Sequence, residues 1–221
     1  MSIASQLRVI RHEIAPFSAQ LIAVSKTQSI SAIQEALDAG VADFGENYLQ
    51  EAISKIQHFQ AQHALVSWHY LGRIQTKKIK EIARYFNVVH SLDQLEHARK
   101  LNEACMALNK KIAVFIQVNL DGASQKGGIP EDEVTKFLEV MSEFKYLETL
   151  GLMSIPEPAS DSETLLKFQR LHTLSIQCKS LRQGCLSMGM SGDYQLALKA
   201  GSSHVRIGTA IFGARAIKNP H

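Results

Sequence analysis

Leu21–Thr27, LIAVSKT, is the stretch from which the fold is read. Leu21, Ile22, Ala23 and Val24 run straight into Ser25, Lys26 and Thr27. A short apolar run without alternation reads as a strand buried on both faces. Lys26 stands where that strand ends. An ammonium is costly to bury unless it is paired, solvated or deprotonated. A desolvated lysine has a lowered pKa and a nucleophilic amine, which makes Lys26 a candidate for Schiff-base chemistry. The alternative is a lysine that snorkels from a strand end to water.

Outward from this strand the pattern repeats. Upstream, Ile3, Leu7, Ile10 and Ile14 recur at helical spacing, and Pro16 closes that segment. Downstream, Ser29–Gly40 reads as a helix with Ile30, Ile33, Ala36 and Leu37 on one face. Further strands are expected at 42–47, 66–72, 88–91, 112–120, 147–155, 185–191 and 203–207, with amphipathic helices between most of them. Eight short apolar strands alternating with helices argue for a parallel sheet with helical crossovers. In about two hundred residues they fit a closed (β/α)8 TIM barrel with an extra N-terminal helix. An open doubly wound sheet is the runner-up. No linker or low-complexity segment interrupts the chain, so residues 1–221 are expected to form a single domain.

Bulk properties exclude several classes. Of 221 residues, 45% are hydrophobic and 20% charged, which is ordinary for a globular protein. The 24 basic residues against 21 acidic ones leave +3, too little to argue for nucleic acid or an anionic membrane. Cys105, Cys178 and Cys185 have neither disulfide nor zinc spacing, and free thiols fit a reducing compartment. No signal peptide and no membrane span is evident, so a cytoplasmic location is expected.

In such a barrel the chemistry gathers at the C-terminal ends of the strands. The strand reading puts Lys26, Asn47, His69, Asn119, Met190, Ser191 and Arg206 there. Two Gly-rich pieces, Ser187–Gly192 (SMGMSG) and Arg206–Thr209 (RIGT), fall on the last two strands. Glycine lets a backbone approach an anion, and Ser191 and Thr209 offer hydroxyls, so a phosphate cradle or plain tight turns would account for them. Arg206 stays protonated and needs a partner, either a ligand or a structural acceptor. His69 is read as a satisfied core residue and Lys77, Lys78 and Lys80 as a solvated helix face. A reactive amine on the first strand and an anion cradle on the last two would meet around one small molecule. Pyridoxal phosphate offers an aldehyde, a phosphate and a ring nitrogen.

With these pieces assembled, the chain resembles the YggS/PROSC family of pyridoxal phosphate homeostasis proteins. The matching motifs are AVSKT at Ala23–Thr27, FGENYLQE at Phe44–Glu51, WHYLG at Trp68–Gly72 and QVN at Gln117–Asn119. GLMSI at Gly151–Ile155, LSMGMSGDY at Leu186–Tyr194 and VRIGTAIFG at Val205–Gly213 complete the set. The resemblance implies the barrel of the alanine racemase N-terminal domain, the type III fold of pyridoxal phosphate enzymes. It implies that Lys26 holds the cofactor as a Schiff base, with Asn47 beside it and Met190 by the ring. Ser191, Gly208 and Thr209 would hold the phosphate, and Arg206 would face the pyridine nitrogen. Lys77 departs from the family pattern, which has asparagine there, whereas Lys126 is kept.

The resemblance also bears on catalysis. Related racemases take a second base, a tyrosine, from another domain of a partner subunit, and this chain stops at His221. Racemisation needs acid–base groups on two faces. A monomeric cofactor carrier, delivering to apo-forms of pyridoxal phosphate enzymes, is therefore the expectation. A weak amino-acid racemase, and a cofactor-free module with a structural Lys26, are the alternatives.

Overall fold

The structure is a computed structural model that describes residues 2–122, 125–178, 181 and 185–213. Eight parallel strands close into a barrel in sequence order. They are β1 (Gln20–Val24), β2 (Asp43–Glu46), β3 (Ser67–Tyr70), β4 (Val88–Leu92), β5 (Ile112–Gln117), β6 (Leu147–Met153), β7 (Leu186–Ser187) and β8 (His204–Ile207). Closure is the pairing of β8 with β1, in which Ile22 lies opposite Arg206 and Ala23 opposite Ile207. That pairing excludes the open sheet.

Among the described residues the helices are α1 (Ile3–Ile14), α2 (Ile30–Asp38), α3 (Leu49–Ala61), α4 (Ile79–Tyr85) and α5 (Leu95–Ala107). They continue with α6 (Val134–Met141), α7 (Asp161–Gln177), α8 (Tyr194–Lys199) and α9 (Thr209–Phe212). None is long and apolar enough to cross a membrane. Several helix starts are capped by serine. Ser29 accepts from Ala32 N at the head of α2, and Ser160 with Glu163 forms a capping box on α7. The α1 helix packs against α2 and α9, beside the seam between the first and last strands. Tyr194 of α8 donates to Glu13 of α1 and ties the two together.

The main apolar core lies between the strands and the helices. It takes Ala23, Phe44, Trp68, Val89, Val114, Leu152 and Ile207 from the barrel wall. The inside of the barrel is different. Val88, Phe115 and Met153 make a separate small cluster. Around it sit polar side chains: His69, His90, Ser187 and Arg206 are all buried. Barrel interiors are usually filled by layers of branched apolar residues. Here the polar ones survive because each finds a partner, as buried polar groups must.

Several strands are shorter than their apolar runs. Expected over 185–191, β7 covers only Leu186–Ser187. Gly189 has φ +92, and Met190 N donates to Asp193 Oδ1 at 2.6 Å, so the chain turns before the ladder can continue. Met190 and Ser191 therefore sit on a loop. The β5 strand ends at Gln117, two residues before Asn119. His69 is not at a strand end: it lies within β3 and faces inward, consistent with the core reading. Cys105 and Cys178 are buried, and Cys105 is pushed up to about 11 by burial. Lys77 and Lys80 are exposed, consistent with a solvated helix face.

After β5, Asp121 gathers the next loops. It pairs with Lys126 at 2.9 Å and Lys167 at 2.7 Å and accepts from Glu157 N at 2.8 Å. Burial works to raise its carboxyl, but the two lysines outweigh that and hold it at about 2 against an ordinary 3.8. A carboxyl depressed in the folded state stabilises above its unfolded value and loses that contribution as pH falls through the folded one. Asp121→Asn should therefore be less stable than the parent at neutral pH. The gap should narrow as pH drops from 3.8 towards about 2, measured by urea unfolding across that range.

Candidate functional site

Lys26 leaves the end of β1 half-buried, and its two neighbours are clamped from behind. Ser25 N donates to Gly45 O at 3.0 Å, and Ser25 Oγ donates to Glu46 Oε1 at 2.7 Å. Lys55 Nζ donates to Ser25 O at 2.7 Å. Thr27 N donates to Glu51 Oε1 at 2.6 Å, and Thr27 takes the left-handed φ of 65°. The cluster closes through Lys55, which pairs with Glu46 at 2.8 Å and Glu51 at 2.5 Å. Burial raises the Glu46 carboxyl above its usual value, against the pull of Lys55 and Ser25. The turn that carries Lys26 is thus fixed to β2 and α3 by charged hydrogen bonds, which are stronger than neutral ones.

Lys55 was not picked out from the sequence, although a signal exists. It sits at the i+3 position of the apolar stripe Ala52, Ile56, Phe59, where a lysine is out of place. Removing one partner of a buried ion pair strands the other, at a cost of about 3–5 kcal/mol. Lys55→Met should lose stability on that scale in urea unfolding, whereas Glu51→Gln, at the more exposed end, should cost less.

In front of this turn lies a cavity of ≈ 340 Å³ at the C-terminal end of the strands. The seven residues that the resemblance assigns to the cofactor all line it: Lys26, Asn47, Met190, Ser191, Arg206, Gly208 and Thr209. Sequence reasoning missed Gln28, Leu71 and Ile155, which also line it. Leu71 and Ile155 close strand-end motifs already noted, but their orientation depends on the barrel. Asn119 and Lys126 instead line a neighbouring cavity of ≈ 200 Å³.

The donors and acceptors are arranged unevenly. Ser191 Oγ accepts from Gly208 N at 3.2 Å and from Ala210 N at 3.3 Å. With its lone pairs taken, its own O–H is left to donate. The Asn47 Oδ1 atom is buried and has no hydrogen-bond partner. It is an acceptor that a ligand can satisfy. A Cβ on Gly208 would come within 3.2 Å of Val24 O, so this approach suits glycine. A Cβ on Gly72 would collide with the Asn47 carbonyl, so Gly72 fixes where Asn47 stands. Arg206 enters from the barrel interior. It donates to Ser187 Oγ at 2.6 Å and to Ser154 O at 3.1 Å. Burial brings its pKa down to about 10, which leaves it cationic at neutral pH. Among the described residues no group of three or more His, Cys, Asp or Glu could hold a metal ion.

A half-buried amine, hydroxyls beside glycine backbone and a buried cation around one barrel mouth define a small-molecule site of the type III barrel class. The profile of the alanine racemase N-terminal domain matches residues 1–216. A pyridoxal phosphate homeostasis protein of Vibrio alginolyticus is 44% identical over 220 residues, covering 96% of this chain and 94% of that one. The protein of the same name from Escherichia coli K12 is 40% identical over 207 residues, with coverages of 91% and 88%. PipY of Synechococcus elongatus, solved with PLP bound, superimposes with a TM-score of 0.89 at 34% identity, covering 96% of this chain and 100% of that one. Alanine racemase of Corynebacterium glutamicum shares the fold, with a TM-score of 0.74 at 18% identity, and this chain spans 62% of its length. This chain belongs to the family of pyridoxal phosphate homeostasis proteins, built on the alanine racemase N-terminal domain.

Proposed function

We propose that this protein binds pyridoxal 5'-phosphate through Lys26 and serves pyridoxal phosphate homeostasis as a cofactor holder and donor rather than as an enzyme. The observation that carries the reading is the single cavity that Lys26, Ser191, Thr209 and Arg206 line together. That set fits the cofactor's chemistry. The aldehyde meets an amine, the phosphate meets hydroxyl donors and glycine backbone, and the ring nitrogen meets a cationic donor. Met190 and Leu71 offer apolar contact for the ring. The unpartnered Asn47 oxygen is the acceptor left for a polar substituent. When bound, the cofactor supplies electrophilic aldehyde and electron-sink chemistry. The protein supplies the grip.

In this reading the cofactor passes to apo-forms of pyridoxal phosphate enzymes, from a cytoplasmic monomer. The relatives' naming for homeostasis supports a carrier. Borohydride treatment after incubation with pyridoxal phosphate should fix an adduct that peptide mapping assigns to Lys26, and Lys26→Ala should take up none. An adduct retained in that variant would sink the assignment. Fast incorporation of solvent deuterium at the α-carbon of amino acids would overturn the carrier reading in favour of a racemase. Gly72→Ala should weaken binding of the cofactor several-fold through displacement of Asn47, read by titration of the bound chromophore.

A further inference from the structure

The polar groups inside the barrel form one continuous chain that starts at the cavity and ends at the opposite face. Arg206 donates to Ser187 Oγ at 2.6 Å. Ser187 Oγ lies 2.8 Å from His90 Nδ1. His90 Nε2 lies 2.9 Å from His69 Nδ1, and His69 Nε2 lies 3.0 Å from Asp43 Oδ1. Asp43 opens β2 at the N-terminal end of the barrel, with its side chain 20% exposed. There it borders a separate cavity of ≈ 290 Å³ with Gln20 and Arg11.

The two ends dictate the direction of every bond between them. Arginine has no acceptor, so it donates to Ser187. Burial works to raise the Asp43 carboxyl, but hydrogen bonds from His69, Gln20 and Ser67 outweigh it, so Asp43 is an anion and only accepts. The Ser187 hydroxyl, which accepts from Arg206, is left to donate to His90 Nδ1, and that leaves His69 to accept on Nδ1 and donate from Nε2 to Asp43. His90 must then donate from Nε2 and accept the Ser187 hydroxyl on Nδ1. Burial first, then the neighbouring Arg206 charge, holds His90 well below its ordinary pKa, so its ring is neutral. Stacking on Phe115, with ring centroids 4.6 Å apart, fixes the His90 plane. The reverse order would set two donors, Arg206 and His90, against the Ser187 hydroxyl.

We propose that Ser187, His90, His69 and Asp43 are positioning residues for Arg206: a one-way hydrogen-bond chain through the barrel that couples a carboxylate on the far face to the guanidinium at the cofactor cavity. The proposal rests on the reading of the cavity as a pyridoxal phosphate site. The chain holds the guanidinium in one orientation as a permanent donor, so the cavity selects an aromatic ring that presents an acceptor to it. It also explains why the barrel interior tolerates two histidines where branched apolar residues would pack.

The test is a double-mutant cycle on the full chain, read by titration with pyridoxal phosphate. Asp43→Asn lies outside the cavity, yet its Kd for the cofactor should rise about fivefold or more, the usual scale of coupling between sites. The absorption band of the bound cofactor should shift with it. In a Ser187→Ala background, where the chain is cut, Asp43→Asn should add nothing. An unchanged Kd and band in Asp43→Asn, or the same loss in both backgrounds, overturns the proposal. A merely structural Asp43 would lower thermal stability without this dependence on Ser187. Nitrogen NMR of the ligand-free wild type provides a measurement that no folding defect can spoil. His69 and His90 should each carry a proton on Nε2 and none on Nδ1, and a proton on Nδ1 of either ring refutes the chain. Wild-type protein that takes up no pyridoxal phosphate would instead sink the reading of the cavity, with the NMR result still deciding the chain.

Discussion

The pairing of β8 with β1 is the constraint on which the site depends. Four register partners, from Gln20 opposite His204 to Ala23 opposite Ile207, bring the two ends of the sheet together. Without them Lys26 and Arg206 would belong to opposite edges of an open sheet. With them, the amine at the end of β1 and the guanidinium on β8 share one cavity. Parallel strands leave all their C-terminal ends on one face, so the loops after β1, β2, β7 and β8 have no choice but to converge there. Chemistry scattered over nearly the whole length of the chain becomes local through backbone hydrogen bonding alone.

The barrel handles charge in two separate places. Behind the Lys26 turn, one buried ammonium is shared by Glu46 and Glu51 and also reaches the Ser25 carbonyl. Its role is mechanical: it holds three consecutive residues of a turn whose middle member is the amine. Inside the barrel, the Arg206 guanidinium donates to a serine hydroxyl and a carbonyl, and the Asp193 carboxylate opposes its charge. A buried cation without acceptors would cost far more than the fold can spare. Replacing part of the usual apolar filling with a saturated polar chain is how the interior accommodates it.

The cavity's walls then follow from steric rules. Gly72 and Gly208 stand where a Cβ would meet the Asn47 carbonyl and the Val24 carbonyl. Ser191 spends its acceptor capacity on two backbone N–H groups and so faces the cavity as a donor. These are small features, but they set which groups border the cavity.

The sequence by itself determined the repeat of strand and helix, which fits a closed barrel or an open sheet, and the pairing of β8 with β1 decided for the barrel. Buried parallel strands must be apolar on both faces, and that leaves a visible mark in LIAV and IAVFIQV. The sequence also marked seven of the residues that line the cavity, because reactive and glycine-rich pieces at strand ends are conspicuous against apolar runs, although the same reading put His69 and Asn119 there and neither lines it. Strand ends were less visible: β7 stops at Ser187 because Gly189 adopts a positive φ and Asp193 caps Met190, neither of which changes the hydropathy. Lys55, His90 and Asp43 were invisible as a set, since each makes its decisive contact 9, 21, 26, 30 or 97 residues away. Hydrogen-bond partners at such separations are chosen by barrel geometry, which no local pattern of residues encodes.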